Sequence, residues 1–291
     1  MVSAIGQGML WAILGLGIFM TFRILGFPDM TTEGSFPLGG AVAVVTIRGG
    51  FSPLVATLFG ILAGMLAGLV TGLLYTKGKI PILLSGILVM TSTNSVMLFI
   101  MKGANLDLLN FPKLQDGFDF LNLPKDFNTI LLGILILTLI ILLLLLFFDT
   151  RLGQAYIATG DNEIMARSLG IHTNHMKLLG LSVSNGIVAL SGALICQNDG
   201  YANINKGIGV IVIGLASIVL GELVFGELTM SERLLAIVIG SVLYQLLILL
   251  VIKIGFDTNY LKIFSAMILA FCLMIPELRR KLKLNVGRWA K

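Results

Sequence analysis

The sequence predicts an all-α integral membrane protein, and three observations predict it. Hydrophobic residues make up 57% of the chain and charged residues only 12%, with a mean hydropathy of +0.99, outside the usual range of a soluble globular domain. Several apolar runs reach the roughly 20 residues that a helix needs to cross about 30 Å of hydrocarbon. The 34 glycines fall inside those runs rather than between them, where a missing side chain lets helix backbones approach closely.

Nine segments are expected, at residues 2–22, 36–47, 53–75, 80–101, 129–148, 178–196, 207–226, 233–252 and 260–277. Together they form one transmembrane domain over residues 1–291. The first, "MVSAIGQGMLWAILGLGIF", lacks a cationic start and a small-residue cleavage site, so it is expected to remain as a span. After it comes "RILGFPDMTTEGSFPLGGAVAV", where Phe27-Pro28-Asp29 and then Phe36-Pro37 are expected to break the helix. Non-helical backbone at membrane depth is tolerated only where protein buries it or water lines it. Residues 27–37 are therefore read either as a connecting loop or as part of a substrate route, with Phe27, Asp29, Thr32, Glu33 and Phe36 as its candidate lining.

In the third segment Gly60, Gly64, Gly68 and Gly72 recur every four residues and form a ridge for tight helix packing. The fourth carries Ser92, Thr93, Asn94 and Ser95, and the sixth Ser182, Ser184 and Asn185. Polar groups in hydrocarbon need partners, so these should face other helices or a cavity. Asn94 and Asn185 are the candidate path residues among them. The seventh segment is interrupted by glycine and holds Glu222, the eighth holds Gln245, and "NKGIGVIVIGLASIVLGE" pairs weakly with the broken stretch after the first span. The fifth, "TILLGILILTLIILLLLLFF", contains no charge at all.

Cationic loops are retained in the cytoplasm, and this sets the orientation. With the N-terminus outside and the C-terminus inside, Arg23, Lys77, Lys79, Arg151, Arg167, Lys177, Arg233 and the tail "RRKLKLNVGRWAK" all lie inside. Residues 103–128 then form an external loop, either simply solvated or a docking surface, and residues 149–177 a cytosolic one. In the latter, Gly160 or Asp161 is expected to cap a helix with Asp161 and Glu163 in its first turn, Arg167 near its other end and Gly170 as its stop. Such a helix has about nine residues and a length of roughly 13 Å. Ile164, Met165 and Leu169 would form an apolar face needing a socket on another protein, or else the helix lies in the headgroup region.

Cys196 and Cys272 sit in apolar sequence without a CxxC or a histidine pair, so metal binding and disulfide formation are not expected. No phosphate loop occurs, because "GLLYTKGKI" has the wrong spacing, and no HExxH or GxSxG motif is present. ATP hydrolysis by this chain itself is therefore not expected, and no cofactor is.

"GQAYIATGDNEIMARSLGIHTNHMKLLGLSVSNGIVALSGAL" resembles the cytoplasmic loop and following helix of ABC importer permeases of the branched-chain amino acid type. The family pattern G-x-x-x-x-A-x-G-D-N-x-x-x-A-x-x-x-G-I falls on Gly153, Ala158, Gly160, Asp161, Asn162, Ala166, Gly170 and Ile171, followed by Lys177. The resemblance implies that the short helix is a coupling helix docking on a cytosolic ABC ATPase, with Gly160, Asp161, Asn162, Ile164, Met165, Ala166, Leu169 and Gly170 forming or holding the contact. It also implies a second permease copy, an external substrate-binding lipoprotein, a bacterial plasma membrane location and no nucleic-acid partner. ATP would be bound by the partner ATPase.

A narrower resemblance, carried by "FRILGFPDMTTEGSFPLGGAVAV" and "LSGILVMTSTNSVMLFIMKGANLDLL", is to a subgroup associated with tryptophan or another aromatic amino acid. There Thr93-Asn94 stand where a bulkier Leu-Tyr pair is frequent. A branched-chain amino acid or another small solute is the alternative cargo. An ion-coupled secondary transporter and a non-transporting scaffold are the rival classes; Glu222 is the one span carboxylate that would suit the former.

Overall fold

The computed structural model describes residues 2–121, 125–226, 229–254, 263, 264, 266–271 and 274. Its helices are α1 (Val2–Phe19), α2 (Thr32–Arg48), α3 (Pro53–Thr76), α4 (Ile82–Met101), α5 (Lys125–Asp149), α6 (Arg151–Asp161), α7 (Glu163–Ser168), α8 (Thr173–Asp199), α9 (Val210–Phe225) and α10 (Met230–Lys253). Two short strands, β1 (Asn105–Asp107) and β2 (Tyr201–Asn203), pair antiparallel with Leu106 opposite Ala202. They tie the loop after α4 to the end of α8.

Among the described residues, seven helical stretches are long and apolar enough to cross a membrane: those containing α1, α3, α4, α5, α8, α9 and α10. The expected second segment is α2, which has 17 residues and begins at the buried Thr32. The ninth, residues 260–277, lies mostly outside the described residues, as does Cys272; of that stretch, Ile268 and Leu269 pack on Ala216, Tyr244 and Ile248.

Helices α1 and α8 form the centre, with their apolar residues in one core that also takes in α5, α9 and α10. Lipid-sized side chains point the other way on α3, α4 and α5: Leu58, Leu62, Leu66, Leu88, Phe99, Leu135 and Leu142 are all exposed. That inversion, apolar outside as well as inside, is what a bilayer solvent requires.

The glycine ridge of α3 packs along α8. A Cβ at Gly64 or Gly68 would meet the backbone of Leu181 or Asn185, and one at Gly72 would lie 3.2 Å from the Leu178 Cα. Hydroxyls join the central helices where side chains are small. Ser184 donates to the Gly17 carbonyl and Ser191 to that of Leu10, each at 2.8 Å.

One expected break is absent. Pro37 lies inside α2 rather than ending a helix before it. Proline removes one backbone donor, and membrane helices tolerate that where neighbours cover the gap. Here Gly207 presses against the Glu33 carbonyl and the Pro37 ring. The genuine interruption is shorter, between the end of α1 and the start of α2.

Candidate functional site

The site is built around that interruption. Beyond Phe19, α1 widens into a π-helical turn, Met20–Ile24, a form that appears mostly as short bulges and frequently at functional sites. Gly26 then takes a left-handed conformation with φ +77°, which favours glycine, and the chain runs without regular structure until α2.

Asp29 sits at the end of this stretch and is 1% exposed. Its carboxylate accepts from the Thr31 amide at 2.9 Å and from the Asn185 side-chain amide on α8 at 2.6 Å. Asn185 also donates to the Leu181 carbonyl and accepts from the Ser35 hydroxyl at 2.6 Å. The Thr32 hydroxyl returns to the Asp29 carbonyl, and Thr31 and Thr71 share a hydrogen bond at 2.7 Å between α2's start and α3. All six side chains are fully enclosed, and each has a partner, as a buried polar network requires.

Of the residues expected along the path, Asp29, Thr32 and Asn185 thus come together. Glu33 points elsewhere and accepts from the Gly209 amide at 3.0 Å, so the two glycine-rich interrupted stretches do meet in space. Phe36 stacks on Trp11 at 5.3 Å, and Phe27 packs edge-on against Tyr75 at 5.9 Å. Asn94 is half-buried on α4, one position past Thr93, which faces Gly34.

At the same end of the bundle lies the polar insert. Its helix α7 has six residues, shorter than expected, and its N-cap is Asn162 rather than Gly160 or Asp161. The Asn162 side chain accepts from the Met165 amide at 3.0 Å. The cap is displaced because α6 continues through Asp161, with Gly160 inside it and packed against the Ile24 carbonyl. Gly170 ends the turn after α7 at φ +82°.

Ala166 faces inward, while Ile164, Met165 and Leu169 are 80%, 62% and 69% exposed. Glu163 ties α7 back to the bundle: Lys177 on α8 lies 2.8 Å from it and Arg167 2.6 Å. The Lys177 ammonium hydrogen-bonded to it holds the Glu163 carboxyl below the usual glutamate range; burial is the next effect and opposes this, while Arg167 adds a smaller lowering. Nearby, Arg23 at the end of α1 pairs with Glu222 on α9, its Nε donating at 2.7 Å.

Three connections could not be read from the sequence in advance. Tyr156 is fully buried and donates to the Met20 carbonyl at 2.7 Å; Lys177 donates to the Tyr75 hydroxyl at 3.2 Å; Glu163 meets Lys177. The available signals were the lone aromatic in "GQAYIATG" and the spacing of opposite charges around Gly170. Among the described residues there is no cluster of three or more metal-ligating side chains.

Comparisons with known proteins agree with this architecture. The chain is 39% identical over 282 residues to the tyrosine transport system permease protein of Clostridioides difficile (strain R20291), covering 97% of this chain and 93% of that one. It is 27% identical over 185 residues to the autoinducer 2 import system permease protein LsrC of Photorhabdus laumondii, covering 62% of this chain and 54% of that one. In fold it is similar to PsaBC from Streptococcus pneumoniae in complex with Fab, with a TM-score of 0.55 at 17% identity over 98% of this chain and 93% of that one. Residues 1–273 match the model of the branched-chain amino acid transport system permease component. The chain therefore belongs to that permease family, an ABC-type transport permease and not itself an enzyme, and with seven span-length helices among its described residues it is a multi-pass protein of the bacterial plasma membrane.

Proposed function

We propose that this chain is the membrane subunit of an ABC importer that brings an aromatic amino acid, tryptophan or tyrosine, into the cell. Two copies work with two cytosolic ATPase subunits and receive cargo from an external binding lipoprotein. The observation that carries the reading is α7: a capped helix with an apolar tip of Ile164, Met165 and Leu169, held to the bundle by Glu163 and Lys177. An exposed apolar tip on a rigidly held element suits a protein socket. Motion of the ATPase pair would be passed to the bundle as a rigid-body rearrangement. The interrupted segment around Asp29 is the element of the path that such a motion would rearrange.

The aromatic cargo is supported by the tyrosine permease relative and by the resemblance of the α1–α2 and α4 stretches. The family's own description favours a second reading, a branched-chain amino acid. The test is ATP-dependent uptake by proteoliposomes containing this chain, its ATPase and its binding protein, with labelled tryptophan and tyrosine and with leucine as competitor. Uptake that leucine does not suppress supports an aromatic cargo, and suppression by leucine refutes it. Replacing Ile164 and Met165 with aspartate is expected to abolish uptake while the permease still inserts.

A further inference from the structure

We infer that the polar insert grips the interrupted segment at two separate points, so that residues 20–31 are the part of the bundle driven by the insert. The inference rests on the coupling role proposed for α7 and goes beyond it by naming the positioning residues.

The first grip is α6. Tyr156 is enclosed between the π-helical turn and α8: its hydroxyl bonds the Met20 carbonyl at 2.7 Å, and a Cβ at Gly180 would enter its ring. The same Met20 carbonyl accepts the Leu25 amide at 3.3 Å, so Tyr156 supplies a second donor to the group that closes the wide turn. One turn further on, Gly160 presses its backbone on the Ile24 carbonyl, where any side chain would collide. Residues 156 and 160 therefore hold the start and the end of the turn Met20–Ile24 from one short helix.

The second grip runs through side chains. Glu163 on α7 meets Lys177 at 2.8 Å; Lys177 lies over the Tyr75 ring at 4.9 Å and donates to its hydroxyl; Tyr75 packs edge-on against Phe27 at 5.9 Å. Both grips end on the stretch that Asp29 and Thr31 fasten to α8 and α3. A displacement of α7 thus reaches this stretch from both sides. Spatial continuity alone does not establish coupling, so the test must read motion and not only loss of fold.

Tyr156→Phe keeps the ring and removes only the hydrogen bond, and Lys177→Met cuts the second grip with a side chain of similar length. Ser241→Ala is the control: it removes an equally buried hydroxyl bond of 2.8 Å, to the Gly8 carbonyl, about three helical turns before Met20 along α1. Two quantities are measured on the reconstituted complex, uptake per ATP hydrolysed and amide hydrogen exchange on addition of a non-hydrolysable ATP analogue. In the unaltered complex the analogue is expected to change exchange in residues 25–31. Tyr156→Phe and Lys177→Met should each lower uptake per ATP by roughly fivefold, the scale of one hydrogen bond's net contribution. They should also blunt the response of residues 25–31, and in Tyr156→Phe, which leaves the Glu163–Lys177 pair intact, α7 should stay protected; Ser241→Ala should leave both readings unchanged. No response of residues 25–31 in the unaltered complex, or full coupling in Tyr156→Phe, would overturn the inference. A complex that binds nucleotide but transports no amino acid refutes the cargo, whereas its hydrogen exchange still decides the grip.

Discussion

Replacing Asn185 with alanine should be far more damaging than its single amide suggests. Three hydrogen bonds disappear, to Asp29, Leu181 and Ser35, but their losses are unequal. The Leu181 carbonyl keeps its helical partner, and the Ser35 hydroxyl has the Thr32 carbonyl 3.5 Å away. Asp29 is left with one oxygen unpaired in a site 1% exposed. Leaving so enclosed an acceptor without its partner costs about 3 kcal/mol, more than the ~1 kcal/mol of an ordinary hydrogen bond. For a chain of this size that is a fall in Tm of roughly 6 °C or more, at about 2 °C per kcal/mol. Asp29→Asn is the informative contrast. The Asn185 amide can turn over, accept from the new side-chain amide at position 29 and donate to Ser35, giving up only its bond to the Leu181 carbonyl, so most of the network reverses at about 1 to 2 kcal/mol. Thermal stability of the purified permease, followed by size exclusion after heating, separates the two. Equal melting of Asn185→Ala and the unaltered protein would refute the argument that Asp29 depends on this contact. So would an Asp29→Asn variant as unstable as Asn185→Ala.

Two further outcomes follow from charges at the insert end. Glu163 is held below the ordinary glutamate range by Lys177 and Arg167, so its contribution to holding α7 is complete above that range and is lost as pH falls through its lowered value in the folded protein. Protease nicking in the insert should rise on acidification, and Glu163→Gln should nick readily at neutral pH; an insert equally protected in both proteins would contradict this. Arg23 and Glu222 join the ends of α1 and α9. Replacing either by alanine should lower the yield of folded permease, and exchanging the two residues should recover much of it. Failure of the exchange to recover more than either single change would show that the pair contributes through shape and not charge.

What the sequence made legible was whatever depends on neighbours along the chain. Uncharged runs such as that in α5 define spans by composition, and Gly170 stops a helix by its own backbone freedom. The cap was misplaced by one or two residues because Gly160, Asp161 and Asn162 are all acceptable cap formers. Which one serves is decided by Ile24, 136 positions before Gly160, against whose carbonyl Gly160 packs and so carries α6 past it. Pro37 misled for the same reason, since a proline that would end an isolated helix is covered here by Gly207. Asp29 and Asn185 each stood out as polar groups in apolar surroundings. That they face one another across 156 positions is a fact of packing that no local pattern contains.

The glycine ridge of α3 shows why packing and site are inseparable in this bundle. Read alone, Gly60, Gly64, Gly68 and Gly72 are a surface for helix contact. Yet a Cβ at Gly68 would stand only 2.8 Å from the Asn185 Cβ and would strike the Leu181 carbonyl. The ridge therefore sets how near α3 lies to the turn of α8 that carries Asn185, and Thr71, three positions further along α3, reaches Thr31 from that same spacing. Widening it should pull the polar cluster apart from two sides at once. Gly68→Val is accordingly expected to destabilise at least as much as Asn185→Ala. Combining the two should cost clearly less than the sum, because the contact each removes is partly the same one, whereas sites without shared partners add. Strict additivity in that double-mutant cycle would mean the ridge merely fills space and Asp29 finds Asn185 regardless of how closely α3 and α8 approach.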